Sequence, residues 1–86
     1  MLVTVKGDSM IDAGIHPGDI VVVENRNTAQ AGDIVGAILE NDFTVKALAK
    51  ESGRFVLIPA NKAYPVLRPK ELEISGVVVG NFRKYR

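Results

Sequence analysis

The 86-residue chain contains no cysteine, no tryptophan and a single histidine, His16. Without thiols it has no disulfide, no cysteine nucleophile and no thiolate metal site, and a small domain lacking such staples fits a reducing compartment, the cytoplasm by default. One imidazole does not make a histidine-rich metal site, so neither metal nor cofactor is expected. Histidine-assisted serine chemistry would have to use His16 itself. Nor does one charge dominate: 11 Lys and Arg against 10 Asp and Glu leave a net charge of +1, which provides no broad field to gather a phosphate backbone. Apolar runs such as Ile20-Val21-Val22-Val23 and Val77-Val78-Val79 fall far short of the roughly 20 residues a membrane helix needs. No basic, then apolar, leader opens the chain, so no membrane partner is expected.

What is present is an apolar fraction of 47% beside 24% charged residues, the balance of a compact domain rather than a disordered chain. At 9.3 kDa residues 1–86 make one domain, because a second core would not fit. Runs of β-branched residues bounded by Gly, Pro, Asn and Asp predict a mainly β fold of short strands. The expected strands cover residues 2–5, 20–24, 33–40, 43–50, 54–58 and 72–85, with a single helical turn at residues 9–13. His16-Pro17-Gly18-Asp19 has Pro and Gly at the centre of a type II turn. Gly32-Asp33-Ile34-Val35 repeats the Gly18-Asp19-Ile20-Val21 approach to a strand, and two copies do not make a solenoid. The Val-rich strand 20–24 is expected to be buried on both faces. Asn41-Asp42 is the expected two-residue hairpin link. Pro59, Pro65 and Pro69 exclude a central strand between residues 59 and 69. Gly76 and Gly80 are expected to mark bulges or bends in the last strand, whose basic end, Arg83-Lys84-Tyr85-Arg86, reads as a solvated terminus.

Two residues invite a chemical reading. Ser9-x-x-Asp12 has the form of a helix cap, in which the hydroxyl accepts an orphan backbone N–H. A serine after a glycine bend, at the start of a helical turn, is equally placed beside free N–H groups that stabilise an oxyanion. Such a serine needs a base, and the candidates are His16, which reads as a surface turn residue, and six lysines. Lys46 differs from the others because it stands in mid-strand between Val45 and Ala47, on the face shared with Thr44 and Leu48. It is either an exposed strand lysine or a buried amine whose pKa burial has lowered, which would make it a general base.

Four blocks in order settle which readings to pursue. The first is Val5-Lys6-Gly7-Asp8-Ser9-Met10-Ile11-Asp12-Ala13-Gly14-Ile15 with Pro17-Gly18-Asp19, and the second is Asp42-Phe43-Thr44-Val45-Lys46-Ala47-Leu48. Leu57-Ile58-Pro59-Ala60-Asn61 with Ala63-Tyr64 follows, and then Ile74-Ser75-Gly76-Val77-Val78-Val79-Gly80. Together they resemble the LexA and UmuD type of self-cleaving serine peptidases, over essentially the whole chain. The resemblance implies the LexA and signal-peptidase type of fold, of short, mostly antiparallel strands with a helical turn at the nucleophile. It implies Ser9 as nucleophile, Lys46 as general base, the backbone N–H groups of Ser9 and Asp8 as oxyanion hole, and Met10 packed beside the nucleophile.

It further implies self-cleavage at an Ala-Gly or Cys-Gly bond in an N-terminal segment, stimulated by the RecA filament in the SOS response to DNA damage. A homodimer is implied too, and the apolar strand 72–85 is where the sequence would support one. The leading expectation is the C-terminal peptidase and dimerisation domain of a LexA-like transcriptional repressor. The alternative is a UmuD-like accessory subunit of an error-prone DNA polymerase, or a phage-type repressor's dimerisation module. No helix-turn-helix and no cleavage segment stand before Ser9, so the chain is expected to carry catalytic groups without a substrate in cis. It would then contact DNA only through a domain outside residues 1–86. Ala13-Gly14 and Ala31-Gly32, both after Ser9, read as turn residues.

Overall fold

The structure is a computed structural model that describes residues 1–26 and 28–84. Its strands are β1 (Leu2–Thr4), β2 (Ile20–Glu24), β3 (Ile34–Leu39), β4 (Asp42–Glu51), β5 (Arg54–Ile58) and β6 (Glu73–Phe82), and a single 3-10 turn spans Ile11–Ala13. Neighbouring strands are antiparallel throughout, in the order β1-β2-β6-β3-β4-β5. This is the mainly β, antiparallel architecture expected.

Two long strands change partner along their length. In β6, residues 73–77 pair with β3 and residues 77–82 with β2. In β4, residues 42–47 pair with β3 and residues 47–51 with β5. The core divides accordingly into two clusters: Met10, Ile15, Val21, Val23 and Val45 in one, and Val35, Ala37, Leu48 and Leu57 in the other. Val45 and Leu48, three residues apart and so on opposite faces of β4, serve one cluster each.

Glycine sets the breaks in register. Val22 faces Gly80 but Val23 faces Val78, and Gly36 faces Gly76 but Ala37 faces Ile74. Val79 and Ser75 are therefore the extra residues of two bulges, each next to a glycine expected to mark one. The two Gly-Asp repeats also build the same turn. Gly18 and Gly32 have φ of 88° and 99°, values that an L side chain resists. Asp19 N–H donates to the His16 carbonyl and Asp33 N–H to the Gln30 carbonyl, both at 3.0 Å. The Asp19 and Asp33 carboxylates accept the N–H groups of His16 and Gln30 at 2.9 and 2.8 Å.

Four expectations are corrected. The hairpin joining β3 to β4 turns at Glu40-Asn41, with φ of 52° and 70°, and Asp42 is already paired with Leu39; two successive positive φ values are what a tight antiparallel link requires. β2 is not buried on both faces: Val21 and Val23 are buried, Val22 is half-buried and Glu24 is exposed, the alternation of a one-sided strand. The helical turn is shorter than residues 9–13, and its N-cap is Met10, with no side-chain cap. Ser9 is thus not a capping residue. Finally, β6 ends at Phe82, and Tyr85 and Arg86 lie outside the described residues.

Candidate active site

Gly7, at φ 74°, bends the chain out of β1, and Gly14, at φ 79°, closes the 3-10 turn by donating its N–H to the Ile11 carbonyl. Between these bends lies Ser9, half-buried and followed by Met10, which is 2% exposed. Met10 is anchored in the first core cluster, and its Sδ accepts the Ala60 N–H at 3.3 Å. Across from it, the first half of β4 carries Thr44 and Lys46. Residues 3–6, Ser9, Met10 and residues 42–46 line one cavity of about 540 Å³.

Lys46 is buried, at 9% exposure. Its Nζ donates to Thr44 Oγ1 at 2.6 Å, a contact available because residues two apart on a strand share a face. Burial holds the Lys46 amine below the ordinary lysine range, since the ammonium loses hydration and, among the described residues, pairs with no carboxylate in compensation. Among the described residues the Ser9 hydroxyl makes no hydrogen bond to it. Nor do the backbone N–H groups of Asp8, Ser9 and Met10 find an acceptor among the described residues, which leaves three donors in succession at the serine.

The floor of the serine loop is a segment whose roles sequence reasoning missed. Ala60 O accepts the Asp12 N–H at 2.8 Å, and Asn61 Nδ2 donates to the Asp8 carbonyl at 2.9 Å. Tyr64 Oη donates to the Asp8 carboxylate, and this proximity raises the Tyr64 pKa. The block Pro59-Ala60-Asn61 with Ala63-Tyr64 was legible as a match but not as a support. Thr44, too, went without a role, although its spacing from Lys46 was visible.

A second missed residue is Arg83. Asp19, with no exposed surface, accepts Arg83 Nε at 2.6 Å and Nη2 at 3.0 Å, together with the His16 N–H and Asn81 Nδ2. Arg83 therefore does more than keep a strand end soluble. Arg83 Nη2 and Asn81 Nδ2 also donate to the Gly14 carbonyl, at 3.2 and 3.3 Å, at the exit of the 3-10 turn. Among the described residues no group of three or more Asp, Glu or His side chains is placed to hold a metal ion, and no helix is long and apolar enough to cross a membrane.

The cavity has a strand edge on each side. Among the described residues β1 pairs with β2 alone, and β4 before Ala47 pairs with β3 alone. With a serine loop on one wall and a buried lysine on the other, this is a peptidase-like cleft, and the chain belongs to the peptidase S24-like family, whose model matches residues 1–79. It is 47% identical over 83 residues to the LexA repressor of Caldicellulosiruptor saccharolyticus, which covers 96% of this chain and 41% of that protein. It is 49% identical over 83 residues to that of Pelotomaculum thermopropionicum, with the same coverage. With the LexA repressor of Carboxydothermus hydrogenoformans the identity is 48% over 84 residues, covering 94% of this chain and 41% of that protein. The match is to a LexA-type C-terminal domain, and the chain spans about two fifths of the length of these relatives.

Proposed function

We propose that the chain is the peptidase domain of a LexA-like repressor, with Ser9 as nucleophile and Lys46 as general base. The observation that carries this reading is the burial of the Lys46 amine on the cavity that Ser9 also lines. A neutral amine has two N–H donors and one lone pair. With one N–H engaged by Thr44, the lone pair is left to take the serine proton as Oγ attacks a peptide carbonyl. The developing oxyanion is met by the N–H groups of Ser9 and Asp8, which have no competing acceptor among the described residues. On collapse of the tetrahedral intermediate the Lys46 ammonium returns its proton to the leaving amine. Water then hydrolyses the acyl-serine with Lys46 again acting as base.

The substrate in this reading is an extended peptide, because the unpaired edges of β1 and of β4 before Ala47 offer main-chain partners to a strand laid between them. It would be an Ala-Gly-type bond in an N-terminal segment of the same protein. Cleavage, stimulated by the RecA filament, would separate a DNA-binding region from its dimerisation domain. Val79 and Phe82, 51% and 48% exposed, lie on the half of β6 that pairs only with β2, and this is where the homodimer would form.

The test is cleavage in trans of a synthetic peptide containing Ala-Gly, followed by mass spectrometry. The chain is expected to cut it, with kcat/KM rising toward alkaline pH. Ser9→Ala and Lys46→Ala are each expected to lose about three orders of magnitude or more. Equal rates in Ser9→Ala and the parent would refute the assignment.

A further inference from the structure

Ser9 N–H belongs to the same peptide unit as the Asp8 carbonyl. A trans peptide is planar, with its C=O and N–H pointing in opposite directions, and among the described residues no peptide bond is cis. Whatever grips the Asp8 oxygen therefore aims the Ser9 N–H. Two donors share that grip, Asn61 Nδ2 at 2.9 Å and, at the longer distance of 3.4 Å, the Ile11 N–H, so the shorter bond is the one from Asn61.

The Asn61 amide is itself held in one orientation. Its Oδ1 accepts the Ala63 N–H at 3.0 Å. A backbone N–H only donates and a carbonyl only accepts, so the two partners distinguish oxygen from nitrogen without ambiguity. The Tyr64 N–H donates to the Asn61 carbonyl at 3.1 Å, closing the turn that presents the side chain. A hydrogen bond to an amide oxygen also polarises the unit and strengthens its N–H as a donor.

We infer that Asn61 is a positioning residue for the oxyanion hole: by fixing the Asp8–Ser9 peptide plane it directs and strengthens the Ser9 N–H. The inference rests on the assignment of Ser9 as nucleophile and deepens it. Asn61 does not line the cavity that Ser9 and Lys46 share. Its effect belongs to the chemical step, not to substrate binding.

Two variants of the 86-residue chain test it, Asn61→Ala and Asn61→Asp, with kcat and KM measured separately on an Ala-Gly peptide in trans. The Asp variant keeps an oxygen for the Ala63 N–H and so preserves the turn, but its ionised carboxylate has no proton to donate to the Asp8 carbonyl. Both are expected to lower kcat about 10- to 100-fold, below or near the effect of deleting an oxyanion donor outright, with KM changed less than about twofold. In Asn61→Asp the ratio of its kcat to the parent's should rise as pH falls into the carboxylate range, because the protonated acid donates again. The Ser9 amide resonance in a 1H–15N spectrum should move in Asn61→Asp while those of β3 stay in place. Parent-like kcat in the folded Asp variant, or an unmoved Ser9 amide, overturns the inference. A parent chain that cleaves no faster than Ser9→Ala overturns the nucleophile assignment instead, and the amide shift still reports on the clamp.

Discussion

Arg83 reaches 64 positions back along the sequence to grip Asp19 with two N–H groups, at 2.6 and 3.0 Å, and Asp19 has no exposed surface. Arg83 is half-exposed, so the pair is a buried acceptor met by a donor from the rim. Hydrogen bonding and the charge of Arg83 hold the Asp19 carboxyl far below the ordinary aspartate range, with the His16 N–H assisting. The folded state therefore binds the Asp19 proton more weakly than the unfolded chain does. Its stabilisation is complete above the unfolded pKa, about 3.9, and is lost as pH falls toward the folded value. Urea midpoints are expected to fall between pH 5 and pH 2, and Arg83→Ala should flatten the part of this slope that Asp19 contributes while lowering stability at pH 7. An unchanged slope in Arg83→Ala would refute the coupling.

Lys46 has the same sign of proton linkage as Asp19, but near neutral pH it costs stability rather than supplying it. Burial lowers its pKa, so the unfolded chain binds its proton more tightly than the folded one. Between the folded value and about 10.4 the contribution of this group to stability rises with pH, and below the folded value the full desolvation penalty is present. Lys46→Met, similar in shape and uncharged, is expected to abolish peptide cleavage while leaving the thermal midpoint at pH 7 unchanged or higher. Its advantage over the parent should shrink by pH 10. A large loss of stability at pH 7 would mean that the amine is structurally required.

Thr44→Val tests the orientation of that amine. The hydroxyl oxygen accepts a hydrogen bond from Nζ and favours the ammonium form, so its removal should lower the Lys46 pKa further. The inflection in the pH profile of kcat/KM is expected to move to lower pH. The plateau should fall about tenfold because the buried amine is no longer directed. An unmoved inflection would exclude Thr44 from this role.

Gly76 and Gly80, four residues apart on β6, should respond differently to the same methyl group. A Cβ on Gly76 would lie 2.3 Å from the Glu24 carbonyl oxygen and 2.9 Å from Val23 Cγ1. A backbone carbonyl in the neighbouring strand does not yield, so Gly76→Ala is expected to destabilise by about 1–3 kcal/mol, read as a lower urea midpoint. Gly80 meets nothing within 4 Å, and Gly80→Ala should be neutral or slightly stabilising.

The strands were legible because Val and Ile runs end at glycine, proline and asparagine, and the serine loop because it lies between Gly7 and Gly14. Where the reading slipped, the deciding energy was local and narrow. The hairpin turn moved by one residue because Glu40 and Asn41 both adopt positive φ, a preference that composition expresses weakly. Lys46 was identifiable by its position among apolar neighbours. The contacts that hold the site were not: Asn61 to Asp8 and Arg83 to Asp19 span 53 and 64 residues. No periodicity encodes pairs of that separation; only the folded sheet order brings them together.

β6 joins the halves of the sheet, yet among the described residues it is the last strand in sequence order. Until residues 73–82 have been made, β1-β2 and β3-β4-β5 have no strand to pair them into one sheet. The serine and lysine walls of the cleft belong to these two parts, which meet where Val45 packs with Met10, Val21 and Val23 and are joined in one sheet by β6. A nascent chain held short of Val77 should lack any Ser9-dependent activity. β6 is the fastening that draws the serine and lysine walls into one sheet once residues 73–82 have been made.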